Sequence, residues 1–249
     1  MLNEQVRVLA EKVMLPIGSA ATQLPQIKMV GFSAMHGSHY DGRLMVIGRA
    51  VNSFWRVRFP EEFSSPDSAM NFAQNVVDDS NINTSCPMGW LNQAWAGEVK
   101  YKAKMSTFWR AINAVMQGLA LTTDNDEDWA SKLVWSNLYK VSPQSGGNPS
   151  NFVCDLQLPG CLELLQLELE YHKPSRVVFA TGMVWAKPFL TALGFSFETD
   201  PQLAQVDGFG RGRLRNGHEL AFVVASHPQG KPGGHQVWAD EVLSKLVRP

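Results

Sequence analysis

Four short apolar runs constrain this chain more than anything else in it: Leu44-Met-Val-Ile47, Leu133-Val-Trp-Ser-Asn-Leu138, Arg176-Val-Val-Phe-Ala180 and Leu220-Ala-Phe-Val-Val-Ala225. Continuous runs rich in Val, Ile and Phe suit strands covered on both faces, as in a parallel sheet. Helical patterns separate them. In Met105–Leu119, Phe108, Ile112, Val115 and Leu119 repeat on one helical face, and Ser106 or Thr107 can cap it. Cys161–Tyr171 reads as a second helix that stops before Lys173-Pro174, and Val184–Leu193 as a third, closed by Gly194 with Pro188 in its first turn or at a kink. His235–Val247 is a fourth, with Trp238, Val242 and Leu246 at four-residue spacing. Alternating strands and helices predict an α/β fold, a three-layer αβα sandwich with a mainly parallel central sheet of about four strands. Asn216-Gly217 breaks the alternation with a hairpin turn, which makes the last strand one arm of a β-hairpin.

The bulk numbers narrow the setting. At 249 residues, with no linker or internal repeat, one domain is expected over 1–249, its first forty residues forming a helical extension. Three cysteines at irregular spacing (Cys86, Cys154, Cys161) form no disulfide framework and point to a reducing, cytoplasmic compartment. "MLNEQVRVLAEKVMLPIG" mixes charge into its apolar residues, as an amphipathic helix does and a signal peptide does not. No run reaches the roughly 18 apolar residues of a membrane span. A net charge of -1 excludes a polybasic coat while leaving room for a local basic groove.

Ligands of open α/β sheets bind outside the carboxyl ends of the strands. The segments to weigh are therefore 48–55, 137–143, 181–183 and 226–228. Several familiar signatures fail there. "GFSAMHG" lacks the second glycine of a nucleophile elbow, which leaves Ser33 a loop serine. "GFGRGR" lacks the lysine-serine ending of a phosphate loop and reads as a hairpin rim. His227 and His235 bracket a tight loop, but two ligands fall short of a metal site, and Cys154 and Cys161 read as buried thiols.

What remains is an ordered set of strand-end residues: Gly48, then "NLYKVSPQSGGNPS" from Asn137, then "CLELLQLELEYHKPSRVVFATG" from Cys161, then "HPQG" from His227. This set resembles the uracil-DNA glycosylase superfamily, closest to its bacterial and archaeal branches. The likeness covers 135–182 and the two ends of the sheet, is weak over 53–104 and is absent from the first forty residues. It implies hydrolysis of the N-glycosidic bond of uracil or another damaged base in DNA, single-stranded or duplex, after the base is flipped into a pocket. By this resemblance Asn137 reads the polar edge of the base, since an amide offers both a donor and an acceptor. Gly48 and an aromatic, Phe54 or Trp55, hold the base, and His227 hydrogen-bonds the developing oxyanion. Asn52 positions water. Arg49, Lys140 and the loop of Gln229, Gly230 and Lys231 contact phosphates, glycine amides approaching an anion closely.

The chain also departs from that pattern. Ala50 stands where the most active branches carry a water-activating aspartate, and Asn52 lies two residues further along. "HPQGKPGG" has Lys231 or Pro232 in place of the apolar wedge. No N-terminal C-x-x-C accompanies Cys161, so no iron–sulfur cluster and no other cofactor is expected. The expected state is a monomer. Two other readings stay open: a catalytically inactive nucleic-acid or nucleotide-binding module of the same fold, and an unrelated α/β hydrolase or small-molecule-binding protein.

Overall fold

The computed structural model describes residues 2–51, 57–81 and 85–246. The chain opens with α1 (Leu2–Val8), a π-helical stretch over Leu9–Met14 and α2 (Leu15–Ser19). Then come β1 (Met29–Gly31), β2 (Met35–His36), β3 (Leu44–Ala50), β4 (Val57–Arg58), α3 (Pro66–Asn81), α4 (Gly89–Ala96) and α5 (Thr107–Gly118). The second half holds β5 (Val134–Tyr139), β6 (Val141–Pro143), α6 (Asn151–His172), β7 (Arg176–Phe179), α7 (Met183–Leu193), β8 (Val206–Arg213), β9 (Glu219–Ala225) and α8 (Gly234–Leu246). The first forty residues are thus helical only as far as residue 23, and two short strands follow.

The fold is α/β, and the four apolar runs are β3, β5, β7 and β9. The sheet that holds them corrects the expectation of four mainly parallel strands. It has six strands in the order β2-β5-β3-β7-β9-β8 and is mixed. β7 runs parallel to β3 and to β9, with Leu44 opposite Arg176 and Arg176 opposite Ala221. β2 pairs antiparallel with β5, and β8 antiparallel with β9. The added strands escaped the apolar-run criterion for different reasons. β2 is two residues long, and β8 is "VDGFGRGR", three glycines in eight residues, a composition poor in strand formers. A separate three-stranded sheet, β4-β1-β6, is antiparallel throughout its pairs.

By contact density the chain divides into two compact units. One contains residues 1–34, 48–84 and 136–171; the other contains 35–47, 85–135 and 172–249. Each is assembled from three stretches of sequence.

In the first unit, α6 begins ten residues before the predicted start at Cys161 and carries Pro159-Gly160 in its interior. That pair reads as a helix stop, yet tertiary packing overrides it. A Cβ at Gly160 would lie 2.6 Å from the Lys12 carbonyl oxygen, so the glycine permits the π-helical stretch to approach α6 at backbone distance. Lys12 also forms an ion pair with Glu163 of α6.

In the second unit, Ser106 caps α5, its hydroxyl accepting from the Trp109 N–H at 3.4 Å. Buried Trp109, Ile112, Val115 and Met116 mark the inner face of α5, and Gly194 closes α7 in the left-handed region at φ 70°. "GFGRGR" is the body of β8 and not a hairpin rim; the turn itself spans residues 214–218, with Gly217 at φ 85°. Gly208, Gly210 and Gly212 share one face of β8. A Cβ on Gly212 would lie 2.3 Å from the Phe195 ring, so the bare strand is what lets Phe195 lie flat against it.

Candidate functional site

Chain order reverses at β3: its successor β5 lies on one side of it and β7 on the other. Such a reversal is where open α/β sheets hold their ligands, at the carboxyl ends of the strands. The carboxyl end of β3 is Gly48-Arg49-Ala50. Immediately beyond it, the Val51 carbonyl accepts from the Ser142 hydroxyl, which anchors the exit of β3 to β6.

Asn137, in β5, is 2 % exposed and lies against this strand end. A Cβ added to Gly48 would sit 2.4 Å from Asn137 Oδ1, with Asn137 Cγ next at 3.5 Å. Glycine at 48 is therefore the condition for the amide to occupy its place. Asn137 Nδ2 is buried and has no hydrogen-bond partner among the described residues. A buried amide N–H₂ left unsatisfied costs about 1–3 kcal/mol, so such a group calls for a water or a ligand where the protein supplies no acceptor.

Ser136, on the opposite face of β5, and Lys140, just past the end of that strand, have their side-chain polar groups satisfied in full. Lys140 Nζ donates to both Glu168 oxygens, at 2.7 and 2.9 Å, and to Ser136 Oγ at 2.8 Å; Ser136 Oγ donates to Glu168 Oε2 at 2.7 Å. Gln157 Oε1 accepts from the backbone N–H groups of Lys140 and Val141. The expectation that Lys140 contacts a phosphate is corrected here. Its ammonium is fully buried beneath α6 and neutralised by Glu168, which leaves no charge at the surface. Arg49 is half-buried, and burial lowers its pKa from the ordinary guanidinium value. Asn52, Phe54 and Trp55 lie outside the described residues.

The second unit carries the histidine loop. Ser226 leaves β9 with its N–H bonded to the Gln205 carbonyl, while its own carbonyl accepts from Trp238 Nε1 at 2.7 Å. Half-buried His227 follows, its ring stacked on Phe108 of α5 with centroids 5.7 Å apart and planes 21° from parallel. Phe108 meets Trp109 edge-on at 4.8 Å. The Gln229 N–H donates to His227 Nδ1 at 3.3 Å, so the neutral ring carries its hydrogen on Nε2.

That bond also amends the phosphate-loop expectation. The Gln229 amide, one of those assigned to phosphate, is engaged by the imidazole, and further along the loop the Gly234 amide is taken by the Lys231 carbonyl. Gln229 and Gly230 are exposed, Lys231 is half-exposed, and Gly230, Gly233 and Gly234 have φ between 71° and 75°. His235 lies in the first turn of α8, and burial, then the charge of Arg110, lowers its pKa. Among the described residues no group of three His, Cys, Asp or Glu is placed to hold a metal ion. At the end of β7 the Met183 N–H is taken by Asp207 Oδ2 at 2.9 Å, so the start of α7 is capped by the protein's own acid.

Phe108 is the residue of this loop that sequence reasoning missed. Its helical period assigned it to the core face, whereas it flanks that face and meets the imidazole. The signal available was the doubled aromatic Phe108-Trp109, which a single buried stripe cannot accommodate on one face.

No family model matches the chain, and no curated protein matches it. Among the described residues no helix is long and apolar enough to cross a membrane.

Proposed function

We propose that this chain is a glycosylase-like domain that takes up a nucleobase from DNA and hydrolyses its N-glycosidic bond, with Asn137 as the residue that reads the base. One observation carries the reading: the Asn137 amide lies with its oxygen against the bare Cα of Gly48 at the end of a central strand, while its nitrogen is buried and has no hydrogen-bond partner among the described residues. A pyrimidine carbonyl is the acceptor that such an N–H₂ lacks, and the amide oxygen is matched to a ring N–H. In the reaction the bond between the sugar C1′ and the base nitrogen breaks, the electron pair leaves with the base, and water adds to C1′.

The test is purified protein with oligonucleotides carrying one uracil, hypoxanthine or mismatch, single-stranded and duplex, followed by alkaline cleavage at abasic sites. Cleavage at the altered base is expected. Asn137→Ala abolishes it. Ala50, which brings no carboxylate to the end of β3, favours a second reading in which the same residues bind a base without cutting it. Binding that Asn137→Ala weakens, with no turnover on any substrate, selects that reading. Neither binding nor cleavage refutes both.

A further inference from the structure

We propose that residues 99–110 of the second unit are a platform for single-stranded nucleic acid, an inference that rests on the nucleic-acid reading above and says which surface holds the strand. Lys100, Lys102 and Lys104 are exposed at alternate positions on an irregular turn, and none is in an ion pair among the described residues. Apolar side chains stand exposed between and beside them: Tyr101 is 48 % and Met105 78 % exposed. With Val99, 38 % exposed, they make a neighbouring set of exposed apolar groups on one short segment, the kind of surface that marks an interaction site when it is contiguous.

The Tyr101 ring is not loose. It rests on Trp90 at 6.2 Å, and Trp90 in turn meets Trp109 and Trp135 at 5.9 and 5.8 Å. Lys104 Nζ lies 5.9 Å over the Trp95 ring, which holds that cation above an aromatic surface. At the far end of the segment, Phe108 carries the His227 stack. Glu98 is the one acid beside the lysines in sequence. Two of the acids in the run 124–128 are already engaged, Asp126 with Lys132 and Asp128 with Asn92 and Ser131.

Three cations beside the exposed Tyr101 ring suit a strand whose phosphates meet the lysines while an unstacked base lies on the ring, which a duplex does not offer because its base faces are already stacked. The overall charge of -1 makes this basic patch local, so it selects a place on the protein instead of coating it.

The experiment is fluorescence anisotropy of the full chain with a labelled thymidine 12-mer, single-stranded and as its duplex, over a salt series. Tighter binding of the single strand is expected. Tyr101→Ala weakens it about ten-fold. Replacing Lys100, Lys102 and Lys104 with Gln makes the slope of log affinity against log salt shallower by about 2. Thermal melts that match wild type confirm that these exposed substitutions leave the fold intact. Equal affinity for the duplex, equal affinity for a glutamate homopeptide, or variants that bind as wild type does each overturn the platform. The two proposals fail separately. If the platform is wrong, Asn137 still governs base release while the surface variants change nothing; if the base reading is wrong, strand binding and its salt slope persist while no base is released.

Discussion

Gly48→Ala is the substitution on which the geometry speaks most directly. The glycine is buried and its φ is not in the left-handed region, so alanine meets no backbone strain. What it meets is Asn137 Oδ1, 2.4 Å from the new methyl, a full ångström inside ordinary contact; the next atoms, at 3.5 and 3.9 Å, are in normal contact. Forcing one methyl into such a packed place costs about 1–3 kcal/mol. For a chain of this size that lowers Tm by roughly 2–12 °C, at 2–4 °C per kcal/mol. Because a single side-chain atom causes the whole clash, the cost must depend on that atom. In an Asn137→Ala background Gly48→Ala should be neutral to within about 0.5 kcal/mol. The assay is a double-mutant cycle by urea unfolding, read together with base release by the single Gly48→Ala variant, which displaces the amide and loses activity. Equal destabilisation in both backgrounds refutes the argument, since the strain would then lie in the backbone and not in the amide.

Other outcomes follow from the same structure. Asn137→Ala, although it removes a side chain from a site 2 % exposed, should stay within about 1 kcal/mol of wild type in urea unfolding, because it also removes an unsatisfied donor. Lys140→Met leaves Glu168 as an uncompensated buried charge and should cost about 3–5 kcal/mol, most of it regained on adding Glu168→Leu. Burial pushes the Cys154 thiol up to about 11 and Cys161 to about 12, so at pH 8 a thiol reagent should titrate half-buried Cys86 first, the other two following only on unfolding. Both thiols hold their protons to higher pH folded than unfolded. The stability linked to them is therefore complete below their ordinary value of 9.0 and is lost as pH rises toward 11 and 12, and Cys161→Ala should make that alkaline loss shallower.

The central strands and most helices were legible because they obey local rules. Four apolar runs became β3, β5, β7 and β9, Gly194 closed α7, and Trp238, Val242 and Leu246 line the buried face of α8. What was not legible depended on partners distant in sequence. Nothing local says that Gly208, Gly210 and Gly212 form a strand, since their reason is the Phe195–Phe197 segment lying on them. Pro159-Gly160 breaks helices in isolation and is tolerated here by contact with the Lys12 backbone. α3 and the short antiparallel strands lack the apolar runs that marked the rest. At the candidate site, Asn137 stood out by its position at a strand end, but Lys140, three residues on, was misread as a surface cation. A lysine in a loop-like sequence is usually solvated, and only the fold brings Glu168 over it.

That contrast between adjacent residues is the strongest reason to assign Asn137 a ligand. β5 is buried along its whole length, so both of its faces must satisfy whatever polar groups they carry. On one face the chain does so completely: serine, lysine and glutamate exchange four hydrogen bonds within 2.9 Å, and Gln157 takes the backbone N–H groups beside them. One residue away, on the other face, an amide donor has no partner, and the strand next to it carries a glycine that leaves the amide room. The contrast between Ser136 and Lys140, whose side chains are fully engaged, and Asn137 Nδ2, buried without a hydrogen-bond partner among the described residues beside the point where chain order reverses, is what supports a ligand at this strand end.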